Sequence, residues 1–186
     1  MNDYDTVILF SGGADSHLIL NLAMSIKKRV YCVLIDYNQK HIEELEYATN
    51  YLDVLGVPYQ IIKISGYDVD SGLTGNGVQG TYKGVSVYNV PARNSIFLTI
   101  AAGIAENIGA TEIWIGCDMS DYYGEFPDCK QDYIGKMNNV FKIAFSYPIS
   151  IEAPLLGWTK TMIVDYLDKI YHLKKKDMYV GYREFT

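Results

Sequence analysis

Short apolar runs alternate with stretches of helical periodicity along this chain, and that alternation restricts the fold more than any other feature. Residues 7–10, 30–35, 60–64 and 112–116 (EIWIG) read as strands. Between the first two, Leu18, Ile19, Leu22, Ala23 and Ile26 form a helical stripe that ends near Lys27-Lys28-Arg29. Ile42, Leu45, Tyr51, Leu52 and Leu55 form a second stripe, stopped by Gly56 and Pro58. Residues 95–108 are apolar almost all round, which predicts a deeply buried helix. A helix at 133–145, a short strand at 149–151 and a helix at 159–170 complete the pattern. It predicts an α/β fold, doubly wound, with helices on both faces of a mainly parallel sheet. No linker or repeat divides residues 1–186, so one domain is expected, and 49% hydrophobic against 20% charged residues is globular composition.

Residues 65–89 lose all periodicity and are dominated by Gly66, Gly72, Gly75, Gly77, Gly80 and Gly84. A loop or hairpin of that length reads as a lid or a dimer contact, which makes a homodimer an expectation. The formal net charge of −6 leaves no general basic face, favouring a small-molecule substrate over direct contact with nucleic acid. Lys174-Lys175-Lys176 reads as a solvated helix end. Cys32, Cys117 and Cys129 are odd in number and widely spaced, consistent with a reducing compartment. The acidic N-terminus and the lack of a membrane-length apolar run give a soluble, cytoplasmic expectation without a membrane partner.

The chemistry is concentrated at FSGGADS, residues 10–16, between the first strand and the first helix. Two glycines let the chain turn sharply and bring successive backbone N–H groups to one place, where the helix adds its positive dipole end. Phe10, Ser11, Gly12, Gly13, Ala14, Asp15 and Ser16 are therefore the candidate phosphate site. Asp15 either caps the helix or lies near a metal ion that accompanies the phosphates. No lysine follows the glycines, which excludes the G-x-x-x-x-G-K-[ST] loop. The S-G-G-x-D-S string resembles the signature of the PP-loop ATP pyrophosphatases, Rossmann-type proteins of the adenine nucleotide alpha hydrolase-like class that adenylate a substrate oxygen.

Further strings narrow the resemblance. Tyr37-Asn38-Gln39-Lys40-His41 with Glu44-Leu45 looks like the Tyr-Gly-Gln-Arg-His…Glu-Leu segment of the 7-cyano-7-deazaguanine synthases. Val90-Pro91-Ala92-Arg93-Asn94, Asp121-Tyr122 with Pro127-Asp128-Cys129-Lys130, and Glu152-Ala153-Pro154-Leu155 with Lys160 resemble later strings of the same family. The resemblance covers almost the whole chain. It implies an ATP-dependent ligase that converts 7-carboxy-7-deazaguanine and ammonia into the 7-nitrile, with AMP and pyrophosphate released and Mg²⁺ accompanying ATP. Ammonia is expected from solution or from a separate protein, since no glutaminase segment is visible. The other readings are a PP-loop enzyme that amidates a different purine-like carboxylate, and a nucleotide-binding subunit without chemistry.

Within this resemblance Gln39, His41, Arg93, Asn94 and Asp118 are candidate substrate-binding residues, and Asp121, Asp128 and Lys160 candidate catalytic ones. Arg93 suits a phosphate or carboxylate through its planar fork. Asp118, Asp121 and Asp128 recognise a guanine-like edge, bind Mg²⁺, accept protons, or simply form turns. Lys160 either neutralises charge near a helix start or reaches a phosphate.

Departures from the family bear on the pocket. Asn38 and Lys40 replace a Gly and an Arg, and residues 123–126 are one longer than the usual spacing before Pro-Asp-Cys, near Glu125. Gly181 stands where the first cysteine of the family's zinc cluster is expected, so no zinc site is expected.

Overall fold

A computed structural model describes residues 3–38, 43–66, 81–82, 85–86, 90–123 and 126–174. In chain order the elements are β1 (Thr6–Leu9), α1 (Ala14–Ser25), β2 (Val30–Asp36), α2 (Glu43–Leu55), β3 (Tyr59–Lys63), β4 (Thr81–Tyr82), β5 (Val85–Ser86), α3 (Arg93–Ile108), β6 (Glu112–Trp114), α4 (Met119–Tyr123), a 3-10 turn (Pro127–Cys129), α5 (Gln131–Ala144), β7 (Ser150–Glu152) and α6 (Lys160–Tyr171).

Five strands make one sheet in the order β3-β2-β1-β6-β7, and every neighbouring pair is parallel. β1 is central, with Thr6 opposite Val30 on one side and Glu112 on the other. Alternate side chains point to opposite faces, so each buried strand serves two cores. Ile8, Phe10, Cys32, Leu34 and Trp114 pack with Leu18, Ala48, Leu52, Ile163 and Leu167, which places α1, α2 and α6 on one face. Val7, Val33, Ile35, Ile113 and Ile151 pack with Leu98, Ala101, Ala105, Ile134 and Phe141, which places α3 and α5 on the other. Each fully buried Leu or Ile contributes about 2 kcal/mol by leaving water. The doubly wound parallel architecture is thus present.

Two expectations need correction. Strand 112–116 is shorter as a ladder element, ending at Trp114, although the Ile115 N–H still donates to the Glu152 carbonyl at 3.0 Å. The helix read as deeply buried all round buries one stripe, Leu98, Ala101, Ala102 and Ala105. Ile96, Phe97, Ile100 and Ile104 are only partly buried, and Thr99 and Gly103 are exposed. The small alanines let α3 lie close along the sheet, which leaves its outer flank facing away. Most of the glycine-rich segment lies outside the described residues, apart from the antiparallel pair β4 and β5. Gln39, Lys40, His41, Glu125, Lys175, Lys176 and Gly181 are also outside them. Among the described residues, no helix is long and apolar enough to cross a membrane.

Candidate active site

The loop after β1 is shaped by contacts that leave no room for larger side chains. Phe10 is buried and its N–H donates to the Val33 carbonyl at 2.9 Å, holding the chain on the sheet until Ser11. Gly12 then takes φ +81°, and a Cβ there would meet the Glu44 carbonyl and the Ala48 Cβ of α2 at 3.1 Å. The Ser16 hydroxyl donates to the Gly13 carbonyl at 2.8 Å, the Ser11 hydroxyl donates to Ser16 Oγ at 3.3 Å, and the Gly13 N–H points to Ser11 Oγ at 3.4 Å. Gly13 is the N-cap of α1, and no side chain caps it. A helix start of that kind suits an anion.

The topology places this loop at the edge where open parallel sheets bind ligands. β1 and β6 are adjacent, but α1, which follows β1, and α5, the long helix between β6 and β7, cover opposite faces, which opens a crevice beyond the C-terminal ends of the two strands. Gly116 closes one side of it. A Cβ on Gly116 would stand 2.9 Å from the Asp15 Cβ and 3.2 Å from the Ser16 backbone nitrogen.

Behind the loop lies a charged triad. Lys160 Nζ, from the first residue of α6, is 2.6 and 2.5 Å from the two Asp15 carboxylate oxygens and 2.8 Å from Asp118 Oδ2. Of its two readings, neutralisation near a helix start is the one this geometry displays. Asp15 does not cap α1. Its carboxyl is pushed up to about 6 by burial, against the pull of Lys160. Asp118 is fully buried, and its Oδ1 accepts from the Ser120 N–H (2.7 Å), the Ser120 hydroxyl (2.6 Å) and the Asp121 N–H (3.1 Å). Burial opposes its charge, but Lys160 and these donors hold it below the ordinary carboxylate range. Burial likewise opposes the Lys160 charge, and the two carboxylates overcome it, so the ammonium persists above the usual lysine range.

A second constellation forms at the start of α3. The Asn94 N–H donates to Asp128 Oδ2 at 3.1 Å, and Asn94 Nδ2 donates to the Asp128 carbonyl and to Cys129 Sγ, each at 3.2 Å. Asp128 therefore caps α3 from the 3-10 turn, and the Asn94 amide serves that join instead of facing open space. Arg93 is largely buried. Burial works against its charge, while Tyr37 and Asp128 support it and hold the guanidinium above its usual value. Glu44 lies within the same field, its carboxyl pushed up to about 7 by burial and drawn down by Arg93. Cys117 contacts Cys129, and that contact with burial pushes its thiol up. Asp121 joins the first constellation by accepting the Asp118 N–H at 3.2 Å.

The structure thus gathers the residues from Phe10 to Ser16 with Asp118 and Lys160, and separately Arg93, Asn94 and Asp128. Sequence reasoning gave no role to Gly116, Tyr37, Glu44 or His17. A glycine ending a strand at the ligand edge was a legible signal for Gly116, and Tyr37 and Glu44 belong to the quoted strings. Asn38, standing in for a family glycine, has φ +63°, a conformation asparagine tolerates better than most residues. Among the described residues, no group of three or more His, Cys, Asp or Glu side chains could hold a metal ion. Cys32 faces the opposite core from Cys117 and Cys129.

A family model described as queuosine biosynthesis protein QueC matches residues 5–184. The 7-cyano-7-deazaguanine synthase of Alteromonas mediterranea is 35% identical over 167 residues, covering 86% of this chain and 76% of that protein. That of Picrophilus torridus is 38% identical over 169 residues, covering 85% of this chain and 70% of that protein. Among solved structures, NMN synthetase from Francisella tularensis superimposes with a TM-score of 0.62 at 18% identity, over 94% of this chain and 64% of that chain. A 4-thiouridine synthetase–RNA complex with bound ATP gives 0.60 at 18% identity, over 90% and 40%. At that identity the two structures speak to the fold alone.

Proposed function

The chain belongs to the queuosine biosynthesis protein QueC family, and we propose that it acts as a 7-cyano-7-deazaguanine synthase, an ATP-dependent carbon–nitrogen ligase. A carboxylate is a poor electrophile until one oxygen is esterified. Attack of the 7-carboxylate on the α-phosphorus of ATP expels pyrophosphate and leaves an acyl adenylate. Ammonia adds to the acyl carbon, loses a proton, and displaces AMP to give the amide. A second adenylation, now on the amide oxygen, makes that oxygen a leaving group. Loss of AMP and a proton leaves the nitrile.

The observation that carries the reading is the uncapped start of α1 at the β1/β6 switch point, where Gly12 lets the loop lie against α2 and Gly116 lets the segment after β6 lie against the first turn of α1. Ser11, Gly12, Gly13, Ala14 and Ser16 cradle the phosphates in this reading, with Phe10 anchoring the loop in the core. Lys160 does not approach the nucleotide alone. Its ammonium is shared by Asp15 and Asp118, so it fixes the relation between α1, α6 and the segment after β6. The same ion pair fills the space between the two carboxylates, which does not fit a metal held by the protein there. Magnesium therefore enters on the phosphates of ATP, as part of the substrate. Arg93, with Tyr37 and Glu44 beside it, supplies the charged surface for the deazaguanine acid. Asp128 and Asn94 build the wall that holds Arg93 in place.

The decisive experiment incubates the protein with Mg²⁺–ATP, ammonium and 7-carboxy-7-deazaguanine and follows products by mass spectrometry. Nitrile with matching AMP and pyrophosphate is the expected outcome. Amide without nitrile would place the enzyme with amidating relatives, and consumption of neither acid nor ATP would defeat the assignment.

A further inference from the structure

We infer that His17 is a positioning residue that holds the Gly13–Ala14 peptide so that its N–H faces the nucleotide phosphates. This rests on the ATP-cradle reading above and adds a residue that the reading does not use. His17 lies in the first turn of α1 and is 1% exposed. Its ring sits between Phe10 and Tyr51, with centroid separations of 5.0 and 4.4 Å. An imidazole so placed loses its hydration, and burial pushes its protonation below the usual histidine range. Packing alone would be served by an apolar ring.

The polar contacts explain the imidazole. Nδ1 lies 3.0 Å from the Gly13 carbonyl oxygen. A carbonyl only accepts, so Nδ1 carries the proton and the buried Nε2, which has no hydrogen-bond partner among the described residues, carries the lone pair. The Gly13 oxygen also receives the His17 backbone N–H at 3.0 Å and the Ser16 hydroxyl at 2.8 Å. Three donors thus converge on one peptide oxygen.

Peptide units here are trans and planar, so the C=O and N–H of one unit point in opposite directions. The Gly13 carbonyl shares its unit with the Ala14 N–H. Drawing that carbonyl toward the buried imidazole turns the Ala14 N–H to the open side, next to the Gly13 N–H that meets the exposed Ser11 hydroxyl. Two successive glycines give this stretch the widest conformational choice in the chain. The Nδ1–H restrains that choice before the anion arrives, so less ordering remains to be done on binding.

Two substitutions separate orientation from packing. His17→Phe keeps an aromatic ring and removes the donor, while His17→Asn places an amide N–H near the Nδ1 position. We expect the KM for ATP to rise about tenfold in His17→Phe, with the KM for the deazaguanine acid unchanged and most of the loss recovered in His17→Asn. Unchanged ATP affinity in a folded His17→Phe protein overturns the inference, as does an equal loss in both variants. Should His17→Phe fail to fold, ¹⁵N-histidine NMR of the unsubstituted protein decides: the Nδ1–H tautomer supports the role and the Nε2–H tautomer overturns it. Failure of the unsubstituted protein to bind ATP by calorimetry would instead overturn the cradle reading, and this inference with it.

Discussion

Lys160 shows how much one side chain decides at the residue scale. It lies 145 positions from Asp15, yet it is the cation for Asp15 and for the fully buried Asp118. Lys160→Met would leave the buried Asp118 charge without its cation, and a loss on the order of 3 kcal/mol is expected in urea unfolding. Asp118→Asn in the same background should recover part of it. Glu44 makes the pH prediction. Its folded-state value of about 7 lies above the ordinary 4.5, so between those values the folded protein holds a proton that the unfolded chain has released. Its contribution is therefore most favourable below pH 4.5 and is lost as pH rises through 7. Glu44→Gln should raise stability at pH 8 by on the order of 1 kcal/mol and change little at pH 4, read from melting curves at the two values. Asp15, Asp118 and Lys160 were all recognisable as candidates in the sequence. Their pairing was not, because an ion pair between distant segments leaves no periodic trace.

Elements meet at the cradle with a tolerance smaller than a methyl group. The segment after β6 passes the first turn of α1 so closely that only a hydrogen fits on Gly116, against the Asp15 Cβ at 2.9 Å. Gly116→Ala forces α1 and β6 apart, with an expected cost of about 1–3 kcal/mol and a higher KM for ATP. Gly157→Ala meets nothing within 4 Å and serves as the matched control, expected to leave both unchanged. A larger effect at Gly157 than at Gly116 would refute the argument. The five strands of the parallel sheet and the five long helices were legible to within a few residues, since strand and helix periods are local properties, whereas α4, which carries Asp121, was read as part of a polar loop. The burial of α3 was not. Its apolar residues occur nearly all round, and only the sheet beneath it selects Leu98, Ala101, Ala102 and Ala105 as the buried stripe.

Across the whole molecule, the last described helix completes what the first strand begins. Ile163 and Leu167 of α6 are fully buried in the core that holds Ile8, Leu18 and Trp114. A chain ending at residue 158 would expose that core and lose Lys160 together. It should lack near-UV circular dichroism and cooperative unfolding, and a native-like spectrum would show that α6 only decorates the fold. By itself the amino-acid sequence determined the alternation of strands and helices, the parallel doubly wound class, the glycine turn after the first strand and the strings shared with a family. All of these are written in spacings of a few residues or in contiguous motifs. Only the tertiary structure decided that Lys160 joins Asp15 to Asp118, that Gly116 packs against the first turn of α1 while Gly12 packs against α2, and that His17 faces inward beneath the loop. The reason is physical: strand order and the choice of face for each helix bring together groups far apart in the chain, and no local periodicity encodes which distant residues will meet.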